Sequence, residues 1–342
     1  MKEIPMFRIF AMATTLFLLS VAHVSAQLPA CWSANELQFK AGEELFHQDI
    51  PEAYIPPPSD PPVVVNEGFN FGAKALRRVD MPNDEKLVSL TFDIGEQPHE
   101  ISGYQGRIVD YLRKNGIEAT MFLGGKWMLT HPVRTRQMIA DPLFEVANHG
   151  WEHRNLRLLN RQDQLDSIVR AQTAYRTVRQ PLENATCSFD GSNQPATAVS
   201  THEMKLYRFP FGACKQSSLE LIEEMGMVAV QWDVVSADPW KGQTTARMVK
   251  SVLSRTKPGS ILIFHANGRG WKTDEAIPLI VSGLKKKGYS FRTVSNLLSV
   301  PGAKPVLSNT CYDQKPGDSD RYDDIATKLH ARYERYLKKM RK

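Results

Sequence analysis

Side chains capable of acid, base or metal chemistry fall at the ends of short apolar runs in this sequence. Asp93 follows Leu87–Phe92, His149 and His153 follow Phe144–Ala147, and Arg208 lies near the end of Leu206–Phe209. Asp233 and Asp238 close the run that starts at Val228, and His265 ends Ile261–His265. In His149-Gly150-Trp151-Glu152-His153 two imidazoles stand four residues apart, a spacing that on one helical turn turns both toward a single metal ion. The competing reading is a pair of histidines satisfied by their own surroundings. A zincin would carry Glu directly after the first His, and here that position is Gly150.

The elements that must position these residues are legible as seven strand-length runs: Leu87–Phe92, Ala119–Leu123, Phe144–Ala147, Leu206–Phe209, Val228–Asp233, Ile261–His265 and Ser290–Val294. Helical patterns separate most of them. Ile108, Val109 and Leu112 share a face that Gly116 ends, Thr130 with Pro132 opens another helix, Asn160 to Gln180 is helical, Gly226 closes the helix carrying Leu219, Ile222 and Met225, and Thr273–Lys286 precedes the seventh run. Such alternation implies parallel strands covered by helices, as a barrel or as a doubly wound sheet. In either architecture ligands bind at the carboxyl ends of the strands, which is where the polar residues fall.

Composition limits the partners. Of 342 residues, 42% are hydrophobic and 23% charged, enough for a sizeable core, and a net charge of +6 is a mild excess that does not mark a nucleic-acid binder. Part of the excess sits on the last stretch, where Lys328, Arg332, Arg335, Lys338, Lys339, Arg341 and Lys342 decorate an expected helix. Lys2 and Arg8, the apolar run Ile9–Val21 and Val24-Ser25-Ala26 predict a signal peptide over 1–26, too short for a stable membrane span, and a periplasmic or secreted product. Lipid attachment at Cys31 is weighed and disfavoured by Pro29. Export permits disulfides, and the expected pairing is Cys187 with Cys214 and Cys31 with Cys311.

The ordered set Thr91-Phe92-Asp93, His149-Gly150-Trp151-Glu152-His153, Arg208-Phe209-Pro210-Phe211, Asp238-Pro239-Trp240 and Ile263-Phe264-His265 resembles the polysaccharide deacetylase family with its NodB homology domain. The resemblance implies an α/β fold, a distorted (β/α) barrel of about seven parallel strands. It implies catalytic roles for Asp93 as base, Arg208 as its partner, His265 as acid and Asp238 as the carboxylate that tunes it, with a backbone N–H of the Arg208–Gly212 loop toward the oxyanion. His149 and His153 match metal ligands, with zinc the first candidate and nickel, cobalt or manganese open. Trp240, Phe211 and Pro210 match substrate-binding positions, and Trp271 is a further aromatic candidate. The family's second aspartate is replaced by Ile94, which cannot bind a metal. The ion is then held by the two histidines and water, by Asp93 in a ligand role, or by Glu96 or His99, of which Glu96 is the expected substitute.

The chain therefore divides into a signal peptide, a Pro-rich extension over 27–85, a deacetylase domain over 86–300 and a basic tail over 301–342. The 184–203 segment is expected to shape specificity. The expected reaction is removal of N-acetyl groups from an acetylated polysaccharide containing GlcNAc, such as peptidoglycan, a chitin-like chain or an exopolysaccharide. The alternatives are an amidase or O-acetyl esterase on a smaller substrate, and a carbohydrate-binding protein without turnover.

Overall fold

A computed structural model describes residues 30–66, 68–190, 202–311 and 322–341. The expected signal peptide and most of the 184–203 segment lie outside the described residues. Ten strands form one curled sheet: β1 (Ala75–Asp80), β2 (Leu87–Ile94), β3 (Ala119–Leu123), β4 (Phe144–Asn148), β5 (Leu206–Tyr207), β6 (Val228–Val230), β7 (Val234–Val235), β8 (Ile261–His265), β9 (Ser290–Phe291) and β10 (Lys304–Ser308). Their order is β10-β1-β6-β5-β4-β3-β2-β8-β7, with β9 on β2. Every pairing is parallel except β10 on β1. The sheet curls until Val79 N–H donates to the Gly259 carbonyl at 3.0 Å, so the first strand nearly meets the start of β8. This is the distorted barrel the sequence implies.

Strand alternation explains both the core and the site. On β2, Val88, Leu90, Phe92 and Ile94 point outward and pack against Ile108, Val109 and Leu112 of α1 (Gly106–Lys114) and Ile277, Ile280 and Leu284 of α2 (Thr273–Lys286). Each such side chain, removed from water, contributes roughly 1.5–3 kcal/mol. The intervening Ser89, Thr91 and Asp93 are buried on the opposite face. That inner face is filled below by Leu76, Phe122, Leu206, Val230, Ile261 and Ile263. The same alternation sends Arg208, two residues after Leu206, and His265, two after Ile263, to the inside. Parallel register then sets His265 directly beside Asp93 on neighbouring strands.

Three expectations change here. The 27–85 extension is not wholly irregular, because Ala75–Asp80 enters the sheet as β1 between β10 and β6. The tail holds strand β10 before its helix, α3 (Asp323–Met340). The disulfides are Cys31–Cys187 and Cys214–Cys311, with Cα separations of 5.0 and 5.7 Å, so the expected pairing is wrong. Position in the fold decides it: Cys31 N–H donates to the Ser188 carbonyl at 2.8 Å, and Cys214 and Cys311 share one apolar cluster. Cys31 is thereby engaged as a disulfide, which removes it as a lipid-attachment site. Among the described residues no helix is long and apolar enough to cross a membrane. Peptide mapping under non-reducing conditions is expected to recover the pairs 31–187 and 214–311, and replacing both Cys214 and Cys311 by Ser should lower unfolding free energy by about 2–5 kcal/mol in urea titrations.

Candidate active site

Asp93 and Arg208 meet inside the mouth of the barrel. Arg208 Nη1 donates to Asp93 Oδ1 at 2.9 Å and to Thr91 Oγ1 at 2.7 Å, while Nε and Nη2 donate to the carbonyls of Val230 and Gln231 at 3.2 and 3.1 Å. The guanidinium lies 4.0 Å over the Phe122 ring and is fully buried. Four directed contacts and one ring face leave it a single orientation. Burial alone would raise the Asp93 carboxyl, yet the Arg208 guanidinium, first of all, and His265 hold it below the usual carboxylate range.

Across from this pair, His265 Nδ1 meets Asp238 Oδ1 at 2.9 Å, and the His265 backbone N–H donates to Asp238 Oδ2 at 2.8 Å. Ser236 Oγ and Thr273 Oγ1 each donate to the Asp238 carboxylate at 2.7 Å, so both oxygens are fixed. Burial pushes His265 down, but the Asp238 charge and hydrogen bond, with Asp93 beyond, raise it above the ordinary 6.5. A carboxyl held below its usual range thus sits beside an imidazole raised above its own, with Nε2 of the latter facing away from Asp238.

His149 and His153 do converge, though not on a helical turn. Their segment is a loop in which Gly150 and His153 take positive φ of 71° and 54°, and the ring centroids are 5.2 Å apart. His149 Nδ1 donates to the Arg208 carbonyl at 2.9 Å, which leaves Nε2 with its lone pair 3.8 Å from Asp93 Oδ2. Nε2 of His149 and Nδ1 of His153 are buried without a hydrogen-bond partner. Burial lowers the basicity of both rings, for His153 well below 6.5, so both are neutral donors. Two imidazoles packed edge to face, each with an orphaned nitrogen, fit a divalent ion of the zinc type. Gly95 closes on them so tightly that a Cβ there would lie 2.4 Å from His153 Cδ2.

Glu96 is not the third ligand. Its carboxylate is fully buried on the far side of the loop, where Lys126 Nζ donates to Oε1 at 2.7 Å, and Ser102 N–H and Thr130 Oγ1 donate to Oε2 at 2.9 and 3.0 Å. His99 is also elsewhere, stacked 5.4 Å from Tyr333. Ile94 points outward into the helix layer. Among the described residues no three of His, Cys, Asp and Glu form a group able to hold a metal ion; the two imidazoles have Asp93 beside them.

Phe211, at φ 61°, packs 4.8 Å from His153, Pro210 is buried behind it, and the Arg208 and Gly212 amides are spent on the carbonyls of Asn148 and Phe209. Trp240 and Trp271 are exposed on the two loops that frame Asp238, and the Trp271 N–H donates to the Asp238 carbonyl at 2.8 Å. Asp233 turns away and accepts from the Ile261 N–H at 2.9 Å, a structural task. Sequence reasoning missed Thr91, Lys126 and Gly95; of these only Gly95, next to a replaced ligand position, carried a local signal.

A curled, mostly parallel sheet that carries the Asp93–Arg208 and Asp238–His265 pairs and two further imidazoles on its carboxyl rim has the layout of a barrel hydrolase of the carbohydrate-deacetylase kind. Residues 80–230 match the polysaccharide deacetylase family model. It is 28% identical over 225 residues to a peptidoglycan-N-acetylglucosamine deacetylase of Bacillus cereus, covering 64% of this chain and 91% of the relative. The structure of the peptidoglycan deacetylase PdaC of Bacillus subtilis superposes with a TM-score of 0.51 at 26% identity, covering 65% and 94% of the two chains. A mutant of a CE4 family pseudoenzyme from Bacillus anthracis, described as having restored enzymatic activity, matches with a TM-score of 0.51 at 25% identity over 65% and 70%.

Two measurements probe this geometry. Because the folded His265 pKa is raised, its contribution to stability is complete below 6.5 and is lost as pH rises through the folded value. Asp238→Asn removes the main raising influence, and NMR titration of the metal-free protein should show the His265 midpoint falling. Arg208→Met leaves the Asp93 charge buried and alone, and is expected to cost about 3–5 kcal/mol in denaturant unfolding, most of it recovered in the Asp93→Asn/Arg208→Met double variant.

Proposed function

We propose that this protein is an exported, metal-dependent hydrolase that removes N-acetyl groups from a GlcNAc-containing polysaccharide. The observation that carries the reading is the opposition of two tuned pairs, Asp93 with Arg208 and His265 with Asp238, around His149 and His153. His149 and His153 would hold a divalent ion, zinc first, which when bound polarises the acetyl carbonyl and acidifies water. Asp93, oriented by Arg208, takes the proton from water as its oxygen bonds to the carbonyl carbon. His265 gives its Nε2 proton to the sugar nitrogen as the carbon–nitrogen bond breaks, so the amine leaves neutral and acetic acid remains, which ionises to acetate in water, while the proton held by Asp93 returns to His265 through solvent. Asp238 holds the imidazole in the tautomer that presents this proton. Disulfides across the fold support an oxidising location outside the cytoplasm. The exposed faces of Trp240 and Trp271, on the loops that frame Asp238, support stacking of pyranose rings near His265.

One observation favours a second reading, binding of glycan without turnover: Ile94 stands at the family's metal-aspartate position, and among the described residues no other carboxylate completes a group of three with the histidines. Elemental analysis of untagged protein and acetate release from acetylated glycans separate the two. On the deacetylase reading the protein carries a divalent ion, and Asp93→Asn lowers acetate release by about 10²–10⁴-fold with the circular dichroism spectrum unchanged. Undiminished release in that variant would discard Asp93 as the base; metal-free protein that holds glycan and releases no acetate would establish the binder.

A further inference from the structure

His153 carries a conformational cost that its own loop does not meet. A non-glycine residue at positive φ lies above ordinary backbone in energy and persists only where its surroundings hold it. On the inner side the loop is fixed by the Ser167 hydroxyl, which accepts the Trp151 N–H at 3.0 Å. On the outer side the holding groups come from the far end of the chain. Helix α3 lies outside the residues that match the family model, and it sits across the loop that follows His153.

The contacts flank His153 on both sides. Asp323 accepts from Asn155 Nδ2 at 3.1 Å and from Arg157 Nε at 2.8 Å. His330 Nε2 accepts the Asn155 backbone N–H at 3.1 Å. Arg154 bridges the two elements, donating to Glu152 Oε1 and to Glu334 Oε1 at 2.6 Å each, with its guanidinium over the Tyr333 ring. Just before the helix, Tyr322 packs on Phe211, which packs on His153 itself. The helix is anchored independently: Tyr336 and Leu337 bury against Ala53, Tyr336 Oη donates to the Ile50 carbonyl at 3.0 Å, and Arg332 pairs with Asp49.

We infer that α3 is a clamp on the metal-binding loop, in which Asp323, His330 and Glu334 are positioning residues that hold His153 in its left-handed conformation and keep its imidazole turned toward His149. Docking of the helix and binding of a divalent ion are then coupled, and each must strengthen the other by the same factor. The inference rests on the reading of His149 and His153 as a metal pair. Groups that orient metal ligands without touching the ion commonly alter affinity by about 10–100-fold.

The test uses the full chain and zinc ion, with affinity read by competition against a chromophoric chelator. His330→Leu, which removes the acceptor for Asn155, and Asp323→Asn with Glu334→Gln, which removes the carboxylates, should each weaken zinc binding about tenfold or more. His330→Gln, which restores an acceptor, should recover most of the loss, as a merely space-filling role would not allow. Thermal unfolding in excess chelator shows whether each variant folds, and hydrogen exchange should show α3 amides slowing when zinc is added to the wild-type protein. Folded variants that bind zinc as tightly as wild type, or α3 exchange indifferent to zinc, overturn the clamp and leave the metal reading intact. Wild-type protein that takes up no zinc overturns both.

Discussion

The buried ion pair between Asp93 and Arg208 is the constraint around which the rest is arranged. A carboxylate and a guanidinium taken out of water are tolerable only if every hydrogen-bonding group finds a partner. Thr91, Val230 and Gln231 supply those partners from strands on both sides of the barrel, and Phe122 supplies a flat surface beneath. The Arg208 carbonyl then fixes the tautomer of His149, so one residue orders the Asp93 carboxylate with its side chain and the His149 imidazole with its backbone. The polar cluster is therefore a single network in which the geometry of each member limits the others.

Opposite protonation states follow from that arrangement. Asp93 and His265 are register partners on adjacent strands, and each stabilises the charged form of the other. Asp238 adds to the effect on His265 from behind. The two neutral histidines stand apart because burial dominates their surroundings. The division between groups that carry charge and groups that offer lone pairs is thus set by which neighbours each side chain meets.

Much of this was legible in the sequence because a barrel strand displays its function at its end. Alternation of period two fixed which residues face inward, and a polar residue at the last inward position stood out against Leu206 or Ile263 below it. What escaped were relations between distant residues. Ala75–Asp80 contains two arginines and follows a proline-rich stretch, so nothing local announces a strand; its Arg77 is buried because it donates to the Cys311 carbonyl. The disulfide partners depend on where loops come to rest. Glu96 looked available as a ligand because Lys126, its actual partner, lies on another element. The histidine pair was read as a helical turn, and the glycine between them allowed a different route to the same convergence.

The antiparallel pairing of β1 with β10 joins residues 75–80 to residues 304–308, and so places the first and last strands of the sheet side by side. During synthesis the ribosome delivers β1 long before its edge has a neighbour on that side. Until β10 emerges, β1 presents an open hydrogen-bonding edge to whatever strand comes near. A chain built this way gains from being held unfolded until it is released whole, since early closure would leave that edge to a stranger.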